Sequence, residues 1–87
     1  MKFEYDSNKS SINEEKHGID FDHAKDLWQD ERLFEVALNF PDELRYLCIG
    51  KIEEKHYSAV ITYRDDTIRI ISVRRSRKEE IEHYENS

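Results

Sequence analysis

The chain has 87 residues, with 20 acidic side chains against 14 basic ones and a net charge of −6. That length leaves too little chain for a second hydrophobic core, so one domain covering residues 1–87 is expected. No apolar stretch nears the ~20 residues that span a bilayer, MKFEYDSNK lacks the apolar region of a signal peptide, and the acidic balance is a poor whole-surface match to nucleic acid.

In chain order, FEY reads as a short strand. Asp6 or Ser7 then caps a helix running to about Lys16, and Gly18 is placed to end it in the left-handed conformation. Lys9, Asn13 and Lys16 share one face at i, i+4, i+7, and Ile12 is the only large apolar residue inside the helix. Asp20 caps a second, shorter helix, whose Phe21, Ala24, Leu27 and Trp28 point to a core and which ends near Gln29. The segment 30–43 is ambiguous: LFEVALNF fits either a strand or a helical continuation, and Pro41-Asp42 marks a turn after it. RYLCIG, HYSAVITY and TIRIISV are strands rich in Val, Ile, Tyr and Thr, and their short connections predict an antiparallel meander. A helix from about Arg77 to Glu85 closes the chain and docks through Ile81 and Tyr84. The expected fold is α+β: an N-terminal strand, two helices, an antiparallel sheet of three to four strands and a C-terminal helix.

Few chemistries fit this inventory. His17, His23, His56 and His83 are scattered without metal-ligand spacing, and two glycines exclude a glycine-rich phosphate loop, so neither metal nor cofactor is expected. The lone Cys48 cannot form an internal disulfide, which suits a reducing cytosol, and its apolar neighbours predict an inert core thiol. Two cationic features remain. Lys16-His17 at a helix C-terminus either answers the helix dipole or supplies cation and proton transfer to a phosphate. Arg69, Arg74, Arg75, Arg77 and Lys78 form a block with no acid among them. Strict strand alternation puts Arg69, Ile71, Val73 and Arg75 on one face and Ile68, Ile70, Ser72 and Arg74 on the other. The block is then either a solvated cluster neutralised by Glu79, Glu80 and Glu82, or a phosphate site built from guanidinium forks.

The sequence resembles the BrnT toxins of bacterial type II toxin–antitoxin systems. Two anchors carry the likeness: N-x-x-K-H-G (Asn13, Lys16, His17, Gly18) and R-I-I-S-x-R-R (Arg69 to Arg75), with Glu80 and Tyr84 continuing the second. The likeness is weakest over residues 29–44, and Ser76 stands where a small apolar residue is common. The resemblance implies a RelE-like fold, a cytoplasmic endoribonuclease that blocks translation, and a BrnA-like antitoxin in a hetero-oligomer, with DNA contacted only through the antitoxin and no membrane partner. On that reading Lys16, His17, Arg69, Arg74 and Arg75 are the catalytic candidates, with His17 first for proton transfer and Lys16 its rival. Lys9, Asn13, Arg77, Lys78 and Tyr84 are the RNA-binding candidates, and the first helix and the arginines face one another across a groove. The alternative is a non-enzymatic interaction module that acts only as an antitoxin-bound co-regulator of its operon. In that case the basic groove docks an acidic antitoxin segment; on the ribonuclease reading Arg69, Arg74 and Arg75 carry the main role, and Arg77 and Lys78 either join them or only neutralise the glutamates that follow.

Overall fold

A computed structural model describes residues 1–87. Five strands form one mixed sheet: β1 (Lys2–Glu4), β2 (Phe34–Leu38), β3 (Arg45–Ile52), β4 (Lys55–Arg64) and β5 (Thr67–Arg75). The spatial order is β1-β5-β4-β3-β2, so β2 to β5 are an antiparallel meander and β1 adds in parallel to the far side of β5. The α+β expectation holds, with a sheet somewhat larger than three to four strands. The ambiguous segment supplies the extra one, as Phe34–Leu38 pairs with β3 rather than continuing the preceding helical turn.

Local chemistry explains most element ends. Helix α1 (Ser7–His17) begins where the Asp6 carboxylate accepts from the amides of Asn8 and Lys9. It ends at Gly18, whose φ of 75° is a conformation only glycine enters without steric cost. Asp20 caps α2 (Phe21–Ala24), which tightens into a 3₁₀ turn over Lys25–Gln29. The β3–β4 and β4–β5 hairpins turn through two residues each, and the first of each pair, Glu53 and Asp65, takes a φ of 57°. Gly50 permits a close approach, because a Cβ there would lie 2.8 Å from Leu33 Cδ1 and 3.2 Å from Leu27 Cδ2.

The core lies between the sheet and the α1–α2 layer. Cys48, Ile52, Tyr57, Ala59, Ile61, Ile68, Ile70 and Val73 face Ile19, Phe21, Ala24 and Leu27. The last helix, α3 (Lys78–Glu85), packs across the opposite face, burying Tyr84 and half-burying Ile81. Few apolar residues hold it, and its polar contacts are described with the site.

One irregularity decides where the arginines point. On β5 the partners step from Ile61↔Ile70 to Val60↔Ser72, which leaves Ile71 unpaired in a bulge. An extra residue reverses the alternation beyond it. Ile68, Ile70, Val73 and Arg75 therefore share the face of Tyr57, Ala59 and Ile61, while Arg69, Ser72 and Arg74 lie with Thr62, Val60 and Ser58. Strict alternation had paired Arg69 with Arg75. The bulge instead sets Arg69 with Arg74 and sends Arg75 to the helix-layer side.

Candidate functional site

The late half of β5 has no β1 beside it, since the parallel pairing stops at Glu4↔Arg69. Helix α1 takes over there. The Asn13 side-chain oxygen accepts from the Val73 amide at 3.2 Å, and its amide nitrogen donates to the Ile19 carbonyl at 2.8 Å. Ser10 adds a third tie, accepting from the Phe21 amide at 2.9 Å. The chain thus leaves β1 beside Arg69 and passes Val73 two turns into α1. The helix runs the same way as β5, and its last turn lies toward the end of the strand that carries Arg74 and Arg75. Lys16 and His17 stand in that turn, exposed and without an ion pair or side-chain hydrogen bond.

Asn13 was expected to contact RNA, but it is 6% exposed and both ends of its amide are engaged inside the fold. Its role here is to close the open edge of β5. Tyr84 is corrected in the same way. It is 3% exposed, and its hydroxyl donates to Asp30 at 2.6 Å while Asp30 also accepts from the Lys51 amide at 2.9 Å. Burial, with Asp30 beside it, pushes the Tyr84 hydroxyl up to about 12. So buried a ring offers no open face to a base; Arg32 lies over it at 5.6 Å and His56 is perpendicular to it at 5.4 Å.

The arginines divide. Arg69 sits at the start of β5 and donates to Glu4 at 3.0 Å, with Arg64 on the same carboxylate at 3.6 Å. At about 3.3 Å per residue it lies roughly 17–20 Å from Arg75, too far for both to hold one phosphate. Arg75 is exposed, its guanidinium 5.7 Å from the Tyr57 ring centre, with no carboxylate partner. Arg74 binds Glu80 through two parallel bonds of 2.8 Å, and its Nη1 also donates to the Arg75 carbonyl at 3.2 Å. The acid neutralised by this block is thus met by Arg74. The side chains of Arg77 and Lys78 stay exposed and unpaired, as does that of Lys9. Neither of two open clefts, of about 520 and 460 Å³, is lined by any of these cations.

Glu80 is the residue that sequence reasoning undervalued. Its Oε1 accepts from Arg74, from the Ser58 hydroxyl at 2.9 Å and from the Arg77 amide at 2.8 Å. A hydroxyl has one proton, so the Ser76 hydroxyl must donate in the 2.8 Å Ser58–Ser76 contact. Hydrogen bonding from Arg74, against an opposing burial cost, lowers the Glu80 carboxyl to about 2. The legible signal was its position three residues after the helix cap, from where a glutamate reaches back to the cap amide. His56 Nε2 lies 2.9 Å from Glu85, whose carboxyl this contact lowers. Cys48 is the inert core thiol expected: fully buried beside Glu35, with burial pushing its titration far up. No group of three or more His, Cys, Asp or Glu side chains is placed to hold a metal ion, and no helix is long and apolar enough to cross a membrane.

The class defined by fold and site is a small α+β protein that concentrates cations at one end of a mixed sheet. Residues 5–80 match the family model described as ribonuclease toxin, BrnT, of type II toxin–antitoxin system, and the chain belongs to that family. A comparison with curated proteins gave no match. Membership makes the family activity that of a ribonuclease toxin and implies an antitoxin partner.

Proposed function

We propose that this chain is an endoribonuclease that cuts RNA through the RNA's own 2′-hydroxyl, without a metal ion, and so blocks translation in the bacterial cytoplasm. The observation that carries the reading is the pair of cationic groups on two elements tied together, the last turn of α1 and the end of β5, through the bond from the Val73 amide to Asn13. The last turn of α1 brings Lys16 and His17, and the end of β5 brings Arg74 and Arg75, in a chain of net charge −6.

In this chemistry a base takes the 2′-hydroxyl proton and the oxygen attacks phosphorus. The new P–O2′ bond forms as the P–O5′ bond breaks, and an acid protonates the leaving 5′-oxygen. The products are a 2′,3′-cyclic phosphate and a 5′-hydroxyl, and no water is consumed. His17 is assigned proton transfer, with Lys16 its rival, an effect worth ~10²–10⁴ in rate. Arg74 and Arg75 hold the phosphate oxygens and stabilise the charge that builds on them. Lys9, Arg77 and Lys78 guide the flanking backbone, and Arg69 is too remote to join them. A BrnA-like antitoxin neutralises the toxin in a hetero-oligomer and makes whatever DNA contact the complex has.

Expression without antitoxin tests this, with RNA ends mapped and cleavage by purified protein repeated in EDTA. The expected result is growth arrest, cyclic-phosphate and 5′-hydroxyl ends, and activity that survives chelation. If His17→Ala and Lys16→Ala each cleave like wild type, the proton-transfer assignment fails. Harmless expression of a chain that still binds its antitoxin would instead identify an interaction module.

A further inference from the structure

The Arg74–Glu80 pair looks at first like an argument against a phosphate role for Arg74. Counting donors reverses that. A guanidinium has five N–H bonds. Two of them, both on Nη1, go to Glu80 and the Arg75 carbonyl, and one on Nη2 goes to Glu80. The two left are the Nε–H and the second Nη2–H, which lie parallel on one edge of the plane. That free edge is the fork that matches two phosphate oxygens. The Arg74 side chain is 28% exposed, and neither of those two N–H groups has a partner within the fold.

Glu80 is itself over-determined. It is 13% exposed, fixed by Ser58 and the Arg77 amide as well as by Arg74, and Ser76 in turn donates to Ser58. Ser58 belongs to β4, Ser76 to the junction and Glu80 to α3, so three parts of the fold converge on one carboxylate.

We propose that Glu80 is a positioning residue of the phosphate site: it grips the Nη1–Nη2 end of Arg74 and thereby aims the free Nε–Nη2 edge at the RNA phosphate. The inference rests on the ribonuclease reading above. A misaimed phosphate ligand of this kind costs about 10²-fold in rate, without removing the charge that attracts RNA.

The test is single-turnover cleavage of a defined RNA, with and without ribosomes, by wild type, Glu80→Gln, Arg74→Ala and the double variant. Rates are normalised to the folded fraction from circular dichroism. The expected result is a ~10²-fold lower maximal rate for Glu80→Gln with half-saturation changed only a few-fold, and a double variant no slower than Arg74→Ala, since the two residues act as one unit. A purely structural Glu80 would lower thermal stability yet leave the rate per folded molecule unchanged, and that result overturns the proposal. If Arg74→Ala cleaves like wild type, the phosphate role of Arg74 falls first, whatever Glu80→Gln does. Should Glu80→Gln not fold, inorganic phosphate is titrated into isotopically labelled wild type. The Arg74 Nε–H resonance is then expected to move, and an unmoved resonance overturns the assignment.

Discussion

At its start β5 presents Arg69 against Glu4, at 3.0 Å, on a carboxylate shared with Arg64. At its end it presents Arg74 against Glu80, through paired bonds of 2.8 Å, with Arg75 beside it unpaired. The two ends hold the same chemical groups in different settings. The Glu4 carboxylate is 38% exposed and has only arginines for partners, so it acts as a surface counter-charge. The Glu80 carboxylate is 13% exposed and collects four donors. Only the second arrangement fixes a guanidinium in one orientation while leaving an edge of it open. The neighbourhood differs as well, because β1 occupies the outer edge at the start and α1, with Lys16 and His17 in its last turn, occupies it at the end.

The sharpest way to break this comparison is to remove one arginine from each end. Arg75→Ala, or Arg74→Ala, is expected to cut RNA cleavage by ~10²–10³, the usual cost of losing one preorganised charge contact. Arg69→Ala should stay within a few-fold of wild type. Equal losses at both ends, measured on folded protein with the same RNA, would erase the distinction.

Removing the device that keeps α1 beside the late half of β5 comes next. Asn13→Ala strands the Val73 amide and the Ile19 carbonyl in a buried setting. At ~1–3 kcal/mol for each of the two orphaned groups, about 2–6 kcal/mol of stability should go. In a domain of this size that is a fall in Tm of roughly 10 °C or more, readable by thermal circular dichroism. A fall of only a degree or two would mean that Asn13 is not what closes the strand edge.

How much of this was open to sequence reasoning follows from the range of each interaction. β3 to β5 were legible because their Val, Ile and Tyr runs are broken by two-residue turns, and α1 because Asp6 and Gly18 punctuate it locally. β2 was not, since Phe34, Glu35, Val36, Ala37 and Leu38 do not alternate cleanly and only pairing with β3 decides them. The bulge at Ile71 has no local signature, yet it chooses which arginines share a face. Asn13 and Tyr84 looked functional by residue type. Partners 60 and 54 positions away, Val73 and Asp30, make them structural. The cationic cluster was legible as composition. Its division into held and open members was not, because Arg74 and Glu80 meet across a strand–helix junction where no periodicity applies.

Acid gives a third handle. The Glu80 carboxyl is lowered to about 2, so its contribution is complete above the unfolded value near 4.5 and is lost as pH falls from there toward 2. Wild type should lose stability across that window, and Glu80→Gln, already without the charge, should be flatter there. Denaturant midpoints from pH 5 to pH 2.5 make the comparison. Parallel curves would mean that the pair contributes nothing to folding.

The smallest effect belongs to the start of the strand, and its smallness is the point. Arg69 and Glu4 are 29% and 38% exposed, and a pair so placed is screened by solvent and salt. Glu4→Ala is expected to cost no more than ~1 kcal/mol at low salt. Most of that should vanish in 1 M salt, where the Debye length shrinks to about 3 Å. Cleavage should survive the substitution, since Arg69 gains freedom but stays far from the phosphate site. A loss well above 1 kcal/mol that persists in high salt would show that the start of β5 is built as firmly as its end. The functional contrast would then have to rest on Lys16 and His17, the groups that α1 brings to one end only.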